Sequence, residues 1–254
     1  MNSLLIGSSD KTEQLLKRAK QPFLLVDDGP IADAFLRKYK FAREFDPHKH
    51  SFNPLKGIDV PRARAFAEAV YGDKDLMTYR DGKRALTRML LEATRLDKLP
   101  TIDNEGYEDA QATIDDLLLS PVLRQVLCGK PNFDPAKGSV VARIDRAKLG
   151  DFDAFMLGTL AIGQAQGQVI VPDFGFYGRP SHVSLIRQNR IVTGLNYLSE
   201  VPRPLGQALL TIKDKLGRDC VFEDAEVLAS YAGLVPGTEG HTTFVQRAMG
   251  AIEA

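Results

Sequence analysis

LLIGSSDKTEQLL, residues 4–16, runs from a short apolar strand through a glycine turn and a Lys-Thr pair into a helical pattern. That order is how a phosphate-binding loop is built. A strand delivers the chain to a turn, and free backbone N–H groups converge there with the dipole of the next helix. Lys11 supplies a mobile cation and Thr12 a hydroxyl of the kind that meets magnesium. The spacing differs from the usual G-x-x-x-x-G-K-[ST], because Gly7 lies four positions before Lys11 and Asp10 stands where the last glycine belongs. A carboxylate at Asp10 repels a triphosphate, and a non-glycine residue restricts the backbone angles of the loop. The stretch therefore has two readings. One is a phosphate site made of Gly7, Ser8, Ser9, Lys11 and Thr12; the other is an ordinary βα unit in which Ser8 or Ser9 caps the helix and Lys11 is solvated.

Beyond this stretch, short apolar runs alternate with helical patterns, the signature of βαβ units and a mostly parallel sheet flanked by helices. The expected strands are 3–7, 23–28, 42–46, 139–144, 168–173, 190–196 and 208–214. Several are apolar on successive residues, as strands covered on both faces are. From about 59 to 130 no strand pattern occurs, only helical ones: PRARAFAEAVYG, DGKRALTRMLLEATRL and EGYEDAQATIDDLLLSPVLRQVL. In the second of these, Ala85, Leu86, Met89, Leu90 and Ala93 share one face, and Asp81 is placed to cap its start. The expectation is a single α/β domain over 1–254 with a helical insertion at about 59–130.

Composition agrees with a folded chain: 44% of the 254 residues are hydrophobic and 26% charged. Thirty-three basic residues balance thirty-three acidic ones, so no overall positive field holds nucleic acid, and any DNA contact needs a local patch or a ring of subunits. Cys128 and Cys220 are isolated and the start of the chain has no basic-then-apolar signal pattern, which favours a reducing, cytoplasmic setting. No apolar run approaches the roughly 18 residues that span a bilayer, so membrane insertion is not expected.

Two further strands carry candidate chemistry. QVIVPDFGFY, residues 168–177, ends an apolar strand in Asp173, at the edge where open α/β sheets place ligand-binding groups. Asp173 is suited to holding magnesium through water, or to capping the following turn. Phe174 occupies the place where many P-loop enzymes carry a water-orienting glutamate. RIVTGLNYLSEVP, residues 190–202, ends its strand at Asn196, a position for sensing a terminal phosphate, with Glu200 just beyond. Arg187 and Arg190 precede that strand and fit either an arginine finger, acting on the chain's own site or a neighbour's, or solvated helix-end residues. The H-x-H pair His48 and His50 lacks further ligands nearby and reads as a turn. Adjacent Ser181 and His182 come without a G-x-S-x-G elbow.

Taken in order, the P-loop-like opening, the long helical insert, GSVVARIDRAKLGDFDAFMLGTLAIGQ, QVIVPDFGFY and RIVTGLNYLSEVPRPLGQALLTIKD together resemble the FtsK/HerA superfamily of P-loop ATPases. FDPHKHSFNPL is similar to a connection in relatives from conjugation systems. The resemblance implies a RecA-like P-loop NTPase fold, ATP and Mg2+ as ligands, and DNA translocation or viral genome packaging in a phage or mobile element. It also implies a homo-oligomeric ring or viral structural proteins as partners, in a host cytoplasm or a virion. Lys11 and Thr12 match the Walker A lysine and hydroxyl, Asp173 the Walker B acid, and Asn196 the sensor; Arg187 or Arg190 serves as the finger. Thr12 and Asp173 are then the metal ligands. The chain departs from the family at IGSSDKT, two residues shorter than IGxxGxGKT, and at Phe174. These departures keep open the alternative of a catalytically inactive pseudo-ATPase that serves as a structural or interaction module.

Overall fold

The computed structural model of the chain describes residues 2–6, 11–27, 29–72, 79–195, 200–212, 214–217 and 222–253. It falls into two units, Met1–Lys20 with Gln168–Ala254, and Gln21–Gly167. The first unit begins with β1 (Ser3–Ile6) and α1 (Lys11–Arg18). The second holds β2 (Phe23–Asp27), α2 (Pro30–Lys38), β3 (Arg43–Phe45), α3 (Val60–Tyr71), α4 (Arg80–Glu92), α5 (Tyr107–Leu117), α6 (Pro121–Cys128), β4 (Val140–Arg143), α7 (Arg146–Leu149) and α8 (Asp151–Gln164). The first unit then resumes with β5 (Gln168–Val171), α9 (Phe174–Tyr177), α10 (Val183–Arg187), β6 (Ile191–Leu195), α11 (Arg203–Leu210), β7 (Asp214–Gly217), α12 (Phe222–Tyr231) and α13 (Glu239–Glu253).

In Gln21–Gly167, β4 lies between β3 and β2, paired in parallel with both. Val140, Val141 and Ala142 of β4 and Leu24, Leu25 and Val26 of β2 are buried on successive positions, so both faces of these strands are covered. α8 is apolar around most of its circumference and is buried almost throughout, from Ala154 to Ile162, as a helix without a polar face must be. Its entry follows the sequence closely: Asp145 caps α7 by accepting from the Lys148 amide, and Gly150, at φ +80°, turns the chain from α7 into α8.

Four helices and no strand fill the described residues from Val60 to Cys128. α3 packs on α4 and α8, and α4 on α5, burying Phe66, Ala67 and Tyr71 against the Ala85, Leu86, Met89 and Leu90 face. Gly106 permits the α4–α5 contact: it has φ +82°, and a Cβ there would stand 2.4 Å from the backbone of Asp81 and Gly82. Two local expectations are corrected. Asp81 lies inside the first turn of α4 rather than at its cap, because the helix already begins at Arg80, with Tyr79 as N-cap. The long helical pattern 105–127 breaks at Ser120, which is extended because Pro121 follows it, and the Ser120 hydroxyl caps α6 by accepting from the Leu123 amide at 3.2 Å.

In the other unit the strand order is β5-β6-β1-β7, every pair parallel. The strand expected at 208–214 is a further correction. Residues 203–210 form α11, and β7 begins only at Asp214. Pro204 stands in the first turn of α11, and Leu205 and Leu209, one helical turn apart, are both fully buried; a short apolar run such as ALL fits either period.

Candidate functional site at the carboxyl edge of β5, β6 and β1

The carboxyl ends of parallel strands gather here because the chain returns through a helix after each strand. β1 ends at Ile6 and α1 opens with Lys11 and Thr12, both half-buried. Gly7, Ser8, Ser9 and Asn196 lie outside the described residues. α1 is anchored by fully buried Leu15, and Gln168 at the start of β5 holds its far end. The Gln168 side chain accepts from the Lys20 amide at 2.7 Å and donates to the Arg18 carbonyl at 3.3 Å.

β5 delivers Pro172 and Asp173 to the same edge. Asp173 is exposed, and its Oδ1 accepts from the Phe176 amide at 3.3 Å, capping α9. Thr193 of β6, fully buried, donates its hydroxyl to the Val171 carbonyl at 3.2 Å and ties the two strand ends together. Gly194 follows, and a Cβ there would meet the Pro172 carbonyl oxygen at 2.5 Å and the Lys11 Cδ at 3.5 Å. The absent side chain at 194 thus lets the end of β5 close on β6, and the stem of Lys11 passes within ordinary contact distance of the same point. Burial lowers the Lys11 pKa, and Glu200 and then Asp173 oppose that shift, so Lys11 sits in the field of two carboxylates.

Glu200, which the sequence places just beyond Asn196, gains a place in the site only in space. The signal for it is Gly175: a Cβ at that position would stand 2.7 Å from both Cβ and Oε2 of Glu200. Phe174 turns the other way. It is fully buried, with its ring 5.9 Å from that of His182. His182 is itself buried, its Nδ1 accepts from the Arg179 amide at 3.2 Å, and burial and the Arg179 charge push its pKa down to about 4.

Lys11, Thr12 and Asp173 therefore share one edge, whereas Arg187 and Arg190 lie at the other. Arg187 is exposed in the last turn of α10, and Arg190 immediately precedes β6, its guanidinium donating to Gln188 at 3.1 Å. Buried Asn2 fixes this turn, donating to the Ile186 carbonyl at 2.5 Å and accepting from the Ile191 amide at 3.0 Å. The five residues of β6, roughly 16 Å of strand, separate these arginines from the Lys11 edge.

Thr12 and Asp173 offer hard oxygen donors, and Mg2+ takes one or two such ligands when phosphates and water fill the rest. Among the described residues no cluster of three or more His, Cys, Asp or Glu forms a metal cage of its own. Oxygen donors of this kind suit Mg2+ that arrives on a nucleotide. His48 and His50 belong to a turn, as the sequence suggests: Asp46 accepts from the His48 amide at 2.9 Å, and its own amide donates to His50 Nδ1 at 3.0 Å.

No family model matches the sequence, and neither does any curated protein. Among solved structures the chain is similar to VirB4 of Thermoanaerobacter pseudethanolicus, with a TM-score of 0.51 and 15% identity over 96% of this chain and 83% of that one. At that identity the likeness is one of fold. The chain has an α/β, RecA-like P-loop fold, a mostly parallel sheet flanked by helices with a helical insertion. No helix among the described residues is long and apolar enough to cross a membrane.

Proposed function

We propose that the protein is an ATPase-like component of DNA-transfer machinery, of the FtsK/HerA kind, from a phage or mobile element and acting in DNA translocation or genome packaging. The observation that carries this reading is the convergence of Lys11, at the start of α1, with Asp173, at the end of β5. In this reading residues 1–254 act as one RecA-like domain with the insertion at about 59–130. Gly7, Ser8 and Ser9 line the phosphates, and Lys11 neutralises their β and γ charge. Thr12 and Asp173 hold Mg2+, which when bound offsets charge on the nucleotide. Asn196 senses the γ-phosphate. Arg187 or Arg190, about a strand's length from the Lys11 edge, serves a neighbouring subunit, which calls for a homo-oligomeric ring with DNA or viral structural proteins as partners. The setting is a host cytoplasm or a virion.

One observation favours a second reading, an inactive module that keeps the fold for interaction. Two carboxylates already balance Lys11, and a triphosphate has to displace them. Calorimetric titration with Mg-ATP separates the two readings. The ATPase reading expects micromolar binding, about 8 kcal/mol, that weakens at least tenfold in Lys11→Ala. No binding by the folded wild-type chain overturns it and leaves the scaffold reading.

A further inference from the structure

Transfer of a phosphoryl group to water needs a group that orients the water and takes its proton. Phe174, next in the chain after Asp173, cannot serve, because a phenyl ring takes no proton and this one is fully buried beside His182. A carboxylate reaches the same ground from another element. Glu200 follows β6 in the chain and is half-buried, and it packs on Gly175 in the short α9 that Asp173 caps. It is also the carboxylate that acts most strongly on Lys11. Gly175 makes this approach possible. The Glu200 atoms that a Cβ there would crowd include Glu200 Cβ itself, at 2.7 Å, which cannot swing aside as a side-chain end can.

We propose that Glu200 is the water-activating acid of this site, taking in space the place that Phe174 occupies in sequence. The inference rests on the P-loop reading above. In the step it serves, the water oxygen bonds to the γ-phosphorus while the bond from that phosphorus to the β–γ bridging oxygen breaks. The bridging oxygen leaves on ADP with the electron pair. Glu200 takes the proton from the water and passes it to solvent, so ATP and water yield ADP, inorganic phosphate and one proton. Gly175 is a positioning residue that keeps the carboxylate beside α9.

The test uses the full chain, with and without duplex DNA, and measures Mg-ATP binding by calorimetry and hydrolysis in a single turnover. Glu200→Gln is expected to bind within about threefold of wild type and to hydrolyse at least about 100-fold more slowly, the usual range for losing a general base. Glu200→Asp should recover part of the rate, and Gly175→Ala, which displaces the carboxylate without removing it, should lower the rate with binding retained. Hydrolysis by Glu200→Gln within threefold of wild type overturns the assignment, as does a loss of binding equal to the loss of rate. A wild-type chain that binds Mg-ATP but does not hydrolyse it, alone or with DNA, overturns the assignment and leaves the nucleotide site standing. A folded wild type that binds no Mg-ATP overturns the P-loop reading and this inference with it.

Discussion

Lowering the pH from 7 to 5 should destabilise the protein, and among the described residues His182 is the group whose burial predicts it. The residue is 4% exposed, its ring sits against Phe174, and its pKa is pushed down from 6.5 to about 4 by burial and by Arg179. The folded chain therefore holds it neutral in a range where the unfolded chain protonates it. Stability is unaffected above about pH 6.5 and falls as the pH drops from there towards 4, since the unfolded state binds the extra proton. Moving the midpoint from 6.5 to about 4 amounts to about 3 kcal/mol at about 1.4 kcal/mol per pH unit, and about 2 kcal/mol of it is gone by pH 5. Asp97 and Asp134 add little in this window: hydrogen bonds from Arg95 and Lys56 lower both from the ordinary 3.8, so the stability they contribute is lost only below about pH 4. The assay is urea unfolding at pH 7 and pH 5 for wild type and His182→Gln. Glutamine keeps an acceptor for the Arg179 amide but takes up no proton. Wild type should lose about 2 kcal/mol more than the variant over this interval. Equal losses in the two proteins would refute the argument that His182 is neutral in its packed site.

Gly194→Ala should harm both fold and site. Its Cβ would meet the Pro172 carbonyl oxygen at 2.5 Å, so β5 and β6 have to part at their carboxyl ends; a loss of about 1–3 kcal/mol in urea unfolding is expected. Mg-ATP affinity, read by calorimetry, should fall as well, because Asp173 directly follows the Pro172 carbonyl that the new Cβ displaces. Leu86→Ala, at a fully buried position on the α4 face, should cost about 2–5 kcal/mol by the same unfolding assay.

Most of the sheet was legible in the sequence because its strands are short, buried on both faces and bounded by turns. LLI, LLV, VVA and VIV each read as covered parallel strand, and each is one. The reading fails where periodicity has too few residues to decide. ALL at 208–210 is equally apolar as strand or helix, and Pro204, pre-set for a first helical turn, tips it to helix and moves β7 to Asp214. The helix break at Ser120-Pro121 was written in the sequence, and the apolar run across it hid it.

The site divides along the same line between what lies along the chain and what meets only in space. That Lys11 and Asp173 share an edge was legible because strand direction alone sends the start of α1 and the end of β5 there. The same argument places Arg187 and Arg190, which precede β6, at the opposite edge, so a finger role for either belongs to a neighbour's site. Glu200 was not legible as a partner of Asp173, because a second acid is expected at the next residue, and that residue is Phe174. The clue is the glycine after it. Gly175 has no special backbone angle to explain it, but it has a neighbour: Glu200 stands where a side chain at 175 would stand. A large residue turned into the core at 174 and an absent side chain at 175 together clear the ground beside Asp173, and a carboxylate from after β6 fills it. Replacing Phe174 with glutamate would thus lose the ring packed on His182 and bring a third acid to an edge where Asp173 and Glu200 already face Lys11.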